Sequence, residues 1–288
     1  MSAPAYEAQL RALVDAVTVV APDLAEVVTA DGRTLHATVA NALGPFRGLA
    51  AVLYEAFYSA SRTPVAPSNA DPAAFAAALR AANAIPRRFS GAHEVPREMV
   101  TGPGGHYVLL GRPVHDAFTG RQVRFYWNIA AAGGPAFVHA LSTRFEHGHI
   151  PFQAKLPLLP HTYARIDTGV LYLSDEDVEV ALDAIAATYA ALGGAMRPDV
   201  PLFTLAVAPG LGFAESPPNR DSFGMHRCDL IAEGLVRTHE RGVSDPAERL
   251  EVVKERLTQY GLDTERLAFN PHSRYPYRLD TLRNRLAA

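Results

Sequence analysis

Cysteine, lysine and long apolar runs are scarce in this sequence. Cys228 is the single cysteine among 288 residues, so the chain has no internal disulfide and no cluster of thiolate metal ligands. No apolar run approaches the roughly 20 residues that cross a bilayer, and the first residues lack the basic-then-apolar order of a signal peptide. We therefore expect a cytoplasmic protein with no membrane partner.

An excess of charge of one sign is also missing. The 27 Lys and Arg residues nearly balance 30 Asp and Glu residues, which gives a net charge of −3. A surface without a strong net field does not attract polyanions, so we expect no nucleic-acid partner. With 48% hydrophobic and 20% charged residues, the composition is typical of a globular protein with a sizeable core.

The basic residues are very unevenly divided between lysine and arginine. Only Lys155 and Lys254 are lysines, and the other 25 basic residues are arginines. Codon bias in an Ala- and Arg-rich genome explains the excess of arginine. It does not explain why a lysine is retained at position 155.

Helical spacing dominates the first ninety residues. Apolar residues recur every three or four positions from Tyr6 to about Val28, and further helices are predicted over residues 48–61 and 71–83. Asp71 is a suitable N-cap for the last of these helices, because a proline follows it at the first helical position. We therefore expect residues 1–90 to form a mainly helical region.

Strands and helices alternate irregularly after Pro86. The predicted strands cover residues 107–110, 123–129 and 170–173, and a turn at 116–120 is expected to join the first two. The predicted helices cover residues 136–145, 176–192, 222–237 and 246–260. Because no regular strand–helix–strand cycle is present, we expect an α+β fold. In it, the helical N-terminal region packs on a domain, residues 91–288, that contains a mixed or antiparallel sheet.

Lys155 lies in a short run of β-forming residues bounded by prolines. A strand over residues 153–157 places Lys155 on one face with Gln153 and Pro157, away from the more apolar face. In a shielded pocket near arginines, the amine would favour its uncharged form, which suits a general base. The alternative is an exposed edge-strand lysine that prevents aggregation, and the residues alone leave both interpretations open.

Tyr163, Arg165 and Asp167 alternate along the next segment. A strand there places all three on one face, where Arg165 is able to bind a phosphate or carboxylate through two N–H groups while Asp167 orients it. A surface ion pair of little consequence is an equally open interpretation.

Histidines suggest two further possibilities. His147 and His149, taken with Asp167, indicate a metal site only weakly, because their spacing matches no helical metal motif. His226 and Arg227 lie near the start of the predicted helix at 222–237, where unpaired N–H groups favour an anion. The adjacent Cys228 is more typical of a small core residue than of a nucleophile.

Seven segments occur in an order that is more specific than any one of them. They are Val-Arg-Phe-Tyr-Trp-Asn-Ile, His-Ala-Leu-Ser-Thr-Arg-Phe, Ile-Pro-Phe-Gln-Ala-Lys, Tyr-Ala-Arg-Ile-Asp, Pro-Leu-Phe-Thr, Ala-Pro-Gly-Leu-Gly-Phe-Ala-Glu and Ser-Phe-Gly-Met-His-Arg-Cys. This ordered set resembles the HopA-type effector family, and the resemblance covers roughly residues 105–235. The family includes bacterial type III effectors and the lyase component of split dehydratases in class V lanthipeptide and thioamitide biosynthesis.

The resemblance implies a phosphothreonine or phosphoserine lyase that acts after a separate kinase. In the distantly similar phosphothreonine lyases the base is a lysine, arginines hold the phosphate, and the acid is a histidine that follows a cation by two residues. On that pattern Lys155 matches the base, while Arg165 and Arg227 match the phosphate-binding arginines. Arg124 matches the cation, and Tyr126 stands where the histidine is expected.

The proton donor is therefore open. It is either Tyr126 or a histidine elsewhere, and the sequence offers His226, His149 and His139. Asp167, Tyr163 and Asn128 are assigned supporting roles.

The resemblance implies elimination of phosphate from a ribosomally made precursor peptide, which leaves dehydroalanine or dehydrobutyrine. Such a reaction needs a base and cations but neither a metal nor an organic cofactor. The expected partners are the phosphorylated precursor and an aminoglycoside-phosphotransferase-like kinase, docked on residues 1–90. The alternatives are a non-catalytic subunit that binds the leader peptide or activates the kinase, and a type III virulence effector that acts on a host phosphoprotein.

Overall fold

A computed structural model describes residues 3–62, 65–102, 105–113, 122–218, 221–273 and 277–287. The helices in these residues are α1 (Ala3–Asp15), α2 (Arg47–Leu53), α3 (Pro72–Ala82), α4 (Gly134–His147), α5 (Val178–Leu192), α6 (Phe223–Glu240), α7 (Pro246–Gln259) and α8 (Leu279–Ala287). The first six strands are β1 (Val17–Ala21), β2 (Leu24–Val28), β3 (Thr34–Thr38), β4 (Arg88–Ser90), β5 (His93–Val95) and β6 (Glu98–Val100). The other six are β7 (His106–Leu110), β8 (Gln122–Trp127), β9 (Gln153–Pro157), β10 (Gly169–Ser174), β11 (Leu205–Ala208) and β12 (Leu211–Glu215). The mixture of helices and antiparallel strands confirms the α+β prediction.

The chain folds into two compact units, and both are discontinuous in sequence. The first unit comprises Met1–Arg62, Pro201–Leu205 and Ala214–Ser273, and the second comprises Thr63–Val200, Ala206–Phe213 and Arg274–Ala288. The structure thus separates the chain near residue 62 rather than at the predicted boundary of residue 90. α3, which was expected in the helical N-terminal region, belongs to the second unit.

The predicted helix over residues 6–28 is wrong beyond Asp15. α1 ends there, and β1, β2 and β3 form an antiparallel three-stranded sheet within the first unit. Val17 and Val19 are buried, whereas Thr18 and Val20 are exposed, so the β-branched run follows the period of two of a strand. The spacing of Val17 and Val20 fits a helix equally well, which is why it misled the prediction.

Helix α6 confirms the helix predicted over residues 222–237, and the hydroxyl of Ser222 accepts a hydrogen bond from the N–H of Met225 at its N-terminus. α3 begins in the same way, since the carboxylate of Asp71 accepts from the N–H of Ala74 at 2.7 Å. α6 packs against α7 and α2 within the first unit.

A seven-stranded sheet organises the second unit, in the order β11-β12-β8-β10-β9-β7-β6. β8 and β9 both pair antiparallel with β10, and β7 pairs antiparallel with β9. The predicted hairpin between β7 and β8 is therefore wrong, because two other strands lie between them. The predicted turn at 116–120 lies outside the described residues.

Strand register separates a polar face of this sheet from an apolar one. Arg124 is opposite Tyr172, while Lys155 is opposite Val170 and Val108, so these side chains share one face. Trp127 lies on the other face, which α4 covers with Phe137 at 5.3 Å between ring centroids. The strand pairing thus places Lys155, Arg124 and Tyr126 of the predicted site on one side.

One helical stretch, Asp175–Ala195, reaches membrane-spanning length, although acidic residues interrupt its apolar sequence. Among the described residues it alone is long and apolar enough by composition, with a mean hydropathy of 1.3. It contains α5, which packs against α4 and α8 in the second unit.

Candidate active site

Lys155 lies where the alternation of β9 predicts it, half-buried on the polar face. Its Nζ is 5.9 Å from the centroid of the Tyr172 ring, and no carboxylate among the described residues pairs with it. Lys254, the other lysine, lies 3.2 Å from a carboxylate oxygen of Glu7 and 3.0 Å from one of Glu251. The amine of Lys155 is thus the one that is not committed to a structural ion pair.

Tyr172 contacts a second cation on the same face. The guanidinium carbon of Arg124 is 5.3 Å from the centroid of the Tyr172 ring, and Arg124 is only 6% exposed. The ring therefore lies beside both Arg124 and Lys155, and its electron-rich face stabilises their charges. The sequence analysis missed Tyr172, although its spacing from Val170 places it on the face that β10 shares with Lys155.

Arg165 and Asp167 form the predicted pair, but not on a strand. A 3₁₀ turn over Pro160–Ala164 replaces the strand, because proline begins it and the Thr162 hydroxyl donates to the Leu159 carbonyl. Nε and Nη2 of Arg165 each donate to a different Asp167 oxygen at 2.9 Å. The Asp167 side chain is 8% exposed and that of Arg165 is 41% exposed, so a buried carboxylate orients a guanidinium that reaches solvent.

Arg197 holds the main chain of this pair in place through hydrogen bonds. Its Nη2 donates to the main-chain carbonyls of Arg165 at 2.8 Å and Ile129 at 3.1 Å. Tyr163, by contrast, is buried apart from the pair, and its hydroxyl donates to the Pro157 carbonyl. Tyr163 therefore stabilises the turn. The expectation that it shares a face with Arg165 is wrong.

His106 is the histidine that the structure places beside these cations. It lies opposite Pro157, on the same face as Lys155 and two residues along from it in register. Burial first, and then the charges of Lys155 and Arg165, lower the pKa of His106 to about 4 against the opposing effect of Asp167. At neutral pH the site thus contains a neutral imidazole close to two cations.

Tyr126 and Asn128 are both almost fully buried. Tyr126 is opposite Val170, which is in turn opposite Lys155, so Tyr126 lies two strands from Lys155 on the polar face. The side-chain amide of Asn128 donates to the Asp199 carbonyl at 3.0 Å. Asn128 therefore ties the end of β8 to a neighbouring loop, which agrees with a supporting role.

Arg227 is buried in the first unit, with contacts that differ from those of a phosphate ligand. Its Nε donates to the Leu267 carbonyl at 3.0 Å, its Nη2 donates to the Phe269 carbonyl at 3.1 Å, and the side chain is 0% exposed. A guanidinium that satisfies main-chain carbonyls has little capacity left for a substrate. We therefore assign Arg227 a structural role, as a correction to the sequence analysis.

His226 is likewise unsuited to donate a proton. Burial, followed by the charge of Arg227, lowers the pKa of His226 to about 3. Its Nδ1 lies 2.7 Å from Nη1 of Arg227 and accepts a hydrogen bond from it. The imidazole is therefore neutral, and it helps to hold Arg227 in place.

The remaining candidates lie elsewhere in the fold. His139 is exposed on α4, and Nδ1 of His149 lies 2.8 Å from Nη2 of Arg112. No group of three or more His, Cys, Asp or Glu side chains suitable for a metal occurs in the part of the chain that the structure describes. Cys228 is fully buried, and burial raises the pKa of its thiol, as is typical of a core residue.

The burial of His226 predicts a pH dependence of stability. The imidazole binds a proton near pH 6.5 when exposed but only near pH 3 when folded, so the unfolded state binds more protons between these values. We expect the free energy of unfolding to fall as the pH drops through this window, with a contribution from His226 of at most about 1.4 kcal/mol per pH unit. His226→Gln keeps an acceptor for Arg227 and should remove this part of the slope in denaturant titrations. An unchanged slope would contradict the assignment.

Comparisons with known proteins place the chain in a family. The family model described as the HopA1 effector protein family matches residues 103–269, which is more than half of the chain. The structure is similar to that of the effector protein from Pseudomonas syringae pv. tomato strain DC3000, with a TM-score of 0.52, 19% identity, and coverage of 75% of this chain and 86% of that one. It is also similar to that of the effector protein from Pseudomonas syringae pv. syringae strain 61, with a TM-score of 0.51, 17% identity, and coverage of 76% and 87%. The search of curated proteins found no match. The extent of the family match shows that the chain belongs to the HopA1 effector protein family.

Proposed function

We propose that this protein is a lyase that eliminates phosphate from phosphoserine or phosphothreonine in a ribosomally made precursor peptide. One observation carries the proposal. Lys155 has no carboxylate partner among the described residues, and it lies on one sheet face with Arg124 and His106 while Arg165 lies close enough to act on the same histidine. A base surrounded by cations is what elimination of a phosphate dianion requires.

The reaction assigns a distinct task to each group. The amine of Lys155 removes the proton from Cα, the electron pair of that bond forms the Cα=Cβ double bond, and the Cβ–O bond breaks. Phosphate leaves with the electrons of that bond, and Arg165 balances its charge through paired N–H groups. The products are dehydroalanine from phosphoserine or dehydrobutyrine from phosphothreonine, inorganic phosphate, and protonated Lys155.

His106, Tyr126 and Tyr172, among the described residues of this face, have side chains able to donate a proton to the departing phosphate. Burial, and after it the charges of Lys155 and Arg165, lower the pKa of His106, and a bound phosphate dianion would counteract the effect of the two charges. Substrate binding would therefore favour the protonated imidazole. For this reason we prefer His106 as the donor over either tyrosine.

The proposed partners follow from the substrate. A lyase of this kind needs a kinase to supply its phosphopeptide, and we propose an aminoglycoside-phosphotransferase-like kinase and its precursor peptide. The test uses the purified chain with a synthetic phosphothreonine peptide, and mass spectrometry should show loss of phosphoric acid. If the lone chain is inactive but accelerates phosphorylation when kinase and unmodified precursor are supplied, the chain is a non-catalytic activating subunit instead.

Membership of an effector family favours a second candidate function. A virulence effector would use the same groups on a phosphorylated host protein rather than on a small precursor. The two functions differ in substrate, because a short unstructured phosphopeptide should suffice for the precursor lyase. Activity on a folded phosphoprotein but not on the short peptide would favour the effector.

The geometry of Arg165 gives a prediction about phosphate binding. Arg165→Lys keeps the charge but loses the planar pair of donors through which Asp167, in the proposal, orients the guanidinium toward the phosphate. We expect kcat/KM for the phosphopeptide to fall about 10- to 100-fold, since hydrogen bonds to charged groups contribute roughly 1.5–3 kcal/mol. Arg11→Lys, at an exposed pair with Glu7, is the matched control and should change nothing. Equal activity of Arg165→Lys and wild type would remove Arg165 from the site.

A further inference from the structure

Helices α4 and α5 enclose a groove of about 780 Å³ in the second unit. Its lining residues run from Ala136 to His147 on α4 and from Val180 to Ala191 on α5, at intervals of three or four residues. This spacing describes one face of each helix over three turns, so the groove is about 16 Å long. A groove of this shape matches a third helix lying against the pair.

The groove has a floor of small residues and an unusually exposed apolar wall. Ala140 and Ala184 lie buried along it, so the backbone of a third helix is able to approach within the usual 8–10 Å. Val180 is 64% exposed, and Ala187 and Ala191 are exposed along the same wall. Neighbouring apolar side chains left exposed along a groove are typical of an interaction site.

The charges around the groove indicate what kind of helix fits it. The α4 rim carries His139, Arg144 and His147, and no carboxylate among the described residues pairs with Arg144. Nη1 of Arg144 donates to the Ala140 carbonyl at 3.3 Å, which leaves most of its donors available. On the opposite rim, Asp183 is neutralised by Arg285 at 2.6 Å. The groove therefore complements an apolar stripe flanked by acidic side chains.

We propose that the α4–α5 groove binds an acidic amphipathic helix of about three turns from a partner chain. Its apolar stripe lies on the alanine floor, and its carboxylates accept hydrogen bonds from Arg144 and the neighbouring histidines. In this recognition mode, a groove binds apolar side chains that recur at helical spacing along the partner helix. The surface lies outside the residues 1–90 that the sequence analysis assigned to docking, and it does not depend on the proposed elimination.

Fluorescence anisotropy of the full-length protein tests this proposal. The probe is a labelled helical peptide of about 14 residues with a leucine stripe flanked by glutamates, and the comparison peptide replaces each glutamate with lysine. We expect the acidic peptide to bind at least tenfold more tightly. Ala187→Glu, at an exposed position in the groove, should weaken its binding at least about tenfold, whereas Ala190→Glu, exposed on the same helix outside the lining, should change it less than about twofold.

Charge reversal supplies a second variant, and two further measurements test other occupants. Arg144→Glu should weaken the acidic peptide and strengthen the lysine peptide. Absence of acidic-peptide binding up to about 100 μM, or equal binding of both peptides, would overturn the proposal.

Light scattering that shows a dimer dissociated by Ala187→Glu would identify a second copy in the groove. Cosedimentation with phosphatidylcholine–phosphatidylglycerol vesicles that Ala187→Glu abolishes would identify a membrane surface, and either result would also overturn it.

Discussion

Lys155→Ala is expected to lower the rate of phosphate elimination from a phosphothreonine peptide by at least about 100-fold, the lower end of what a general base contributes. The substitution removes the amine that takes the Cα proton, while the arginines that bind phosphate remain in place. Affinity for the phosphopeptide should therefore fall much less than kcat. Mass spectrometry of the product and isothermal titration of the peptide measure the two quantities separately.

The structure also predicts that this variant folds. Lys155 is half-buried and forms no ion pair with a carboxylate among the described residues, so its truncation should change the free energy of unfolding by less than about 1 kcal/mol. Lys254→Ala is the control, because it removes the other lysine from its pairs with Glu7 and Glu251. That variant should retain full activity. Full dehydration by Lys155→Ala would refute a lysine base, whatever the fate of the other site residues.

Local pattern predicts the position of Lys155 well, because it depends on one short strand. Alternation along β9 fixes which side chains share a face, and the flanking prolines limit the strand to a few residues. The same reasoning identifies Arg165 with Asp167, although the backbone between them is not a strand. A short loop can place residues i and i+2 on the same side, as a strand does. The pairing of Arg165 with Asp167 was therefore predicted correctly although the predicted strand is absent.

Strand order explains why His106 and Tyr172 were missed. Their place beside Lys155 depends on β7 and β10 lying on either side of β9, with a register set by pairing between distant segments. No local spacing encodes such an order. The prediction paired β7 with β8, and it did not include His106 among the candidate acids.

Burial explains why Arg227 and His226 were wrongly assigned to the site. Arg227 and His226 follow a good N-cap, and this suggested an anion site at the start of a helix. α6 turns both side chains toward the interior of the first unit, where the loop over residues 267–270 supplies carbonyl oxygens. A sequence shows that an arginine begins a helix but not whether distant main-chain groups satisfy it.

The structural role of Arg227 predicts a large loss of stability in Arg227→Lys. Lysine keeps the charge but cannot donate to Leu267, Phe269 and His226 together, so buried carbonyls lose their partners. We expect the free energy of unfolding to fall by about 3 kcal/mol, as is typical when a buried charged network is broken. Guanidinium titration followed by circular dichroism measures this change. A structural residue should leave the phosphopeptide affinity of the folded fraction unaltered.

Arg241→Lys is the matched control because Arg241 also belongs to the first unit but pairs with Glu255 on the surface. An exposed ion pair of this kind contributes little, so the control should change the free energy of unfolding by less than about 1 kcal/mol. The two variants together separate a structural arginine from a substrate ligand. Wild-type stability of Arg227→Lys combined with a loss of phosphopeptide affinity would restore Arg227 to the phosphate site. The opposite pattern, lower stability with wild-type affinity, would leave Arg165 and Arg124 as the arginines of the proposed site.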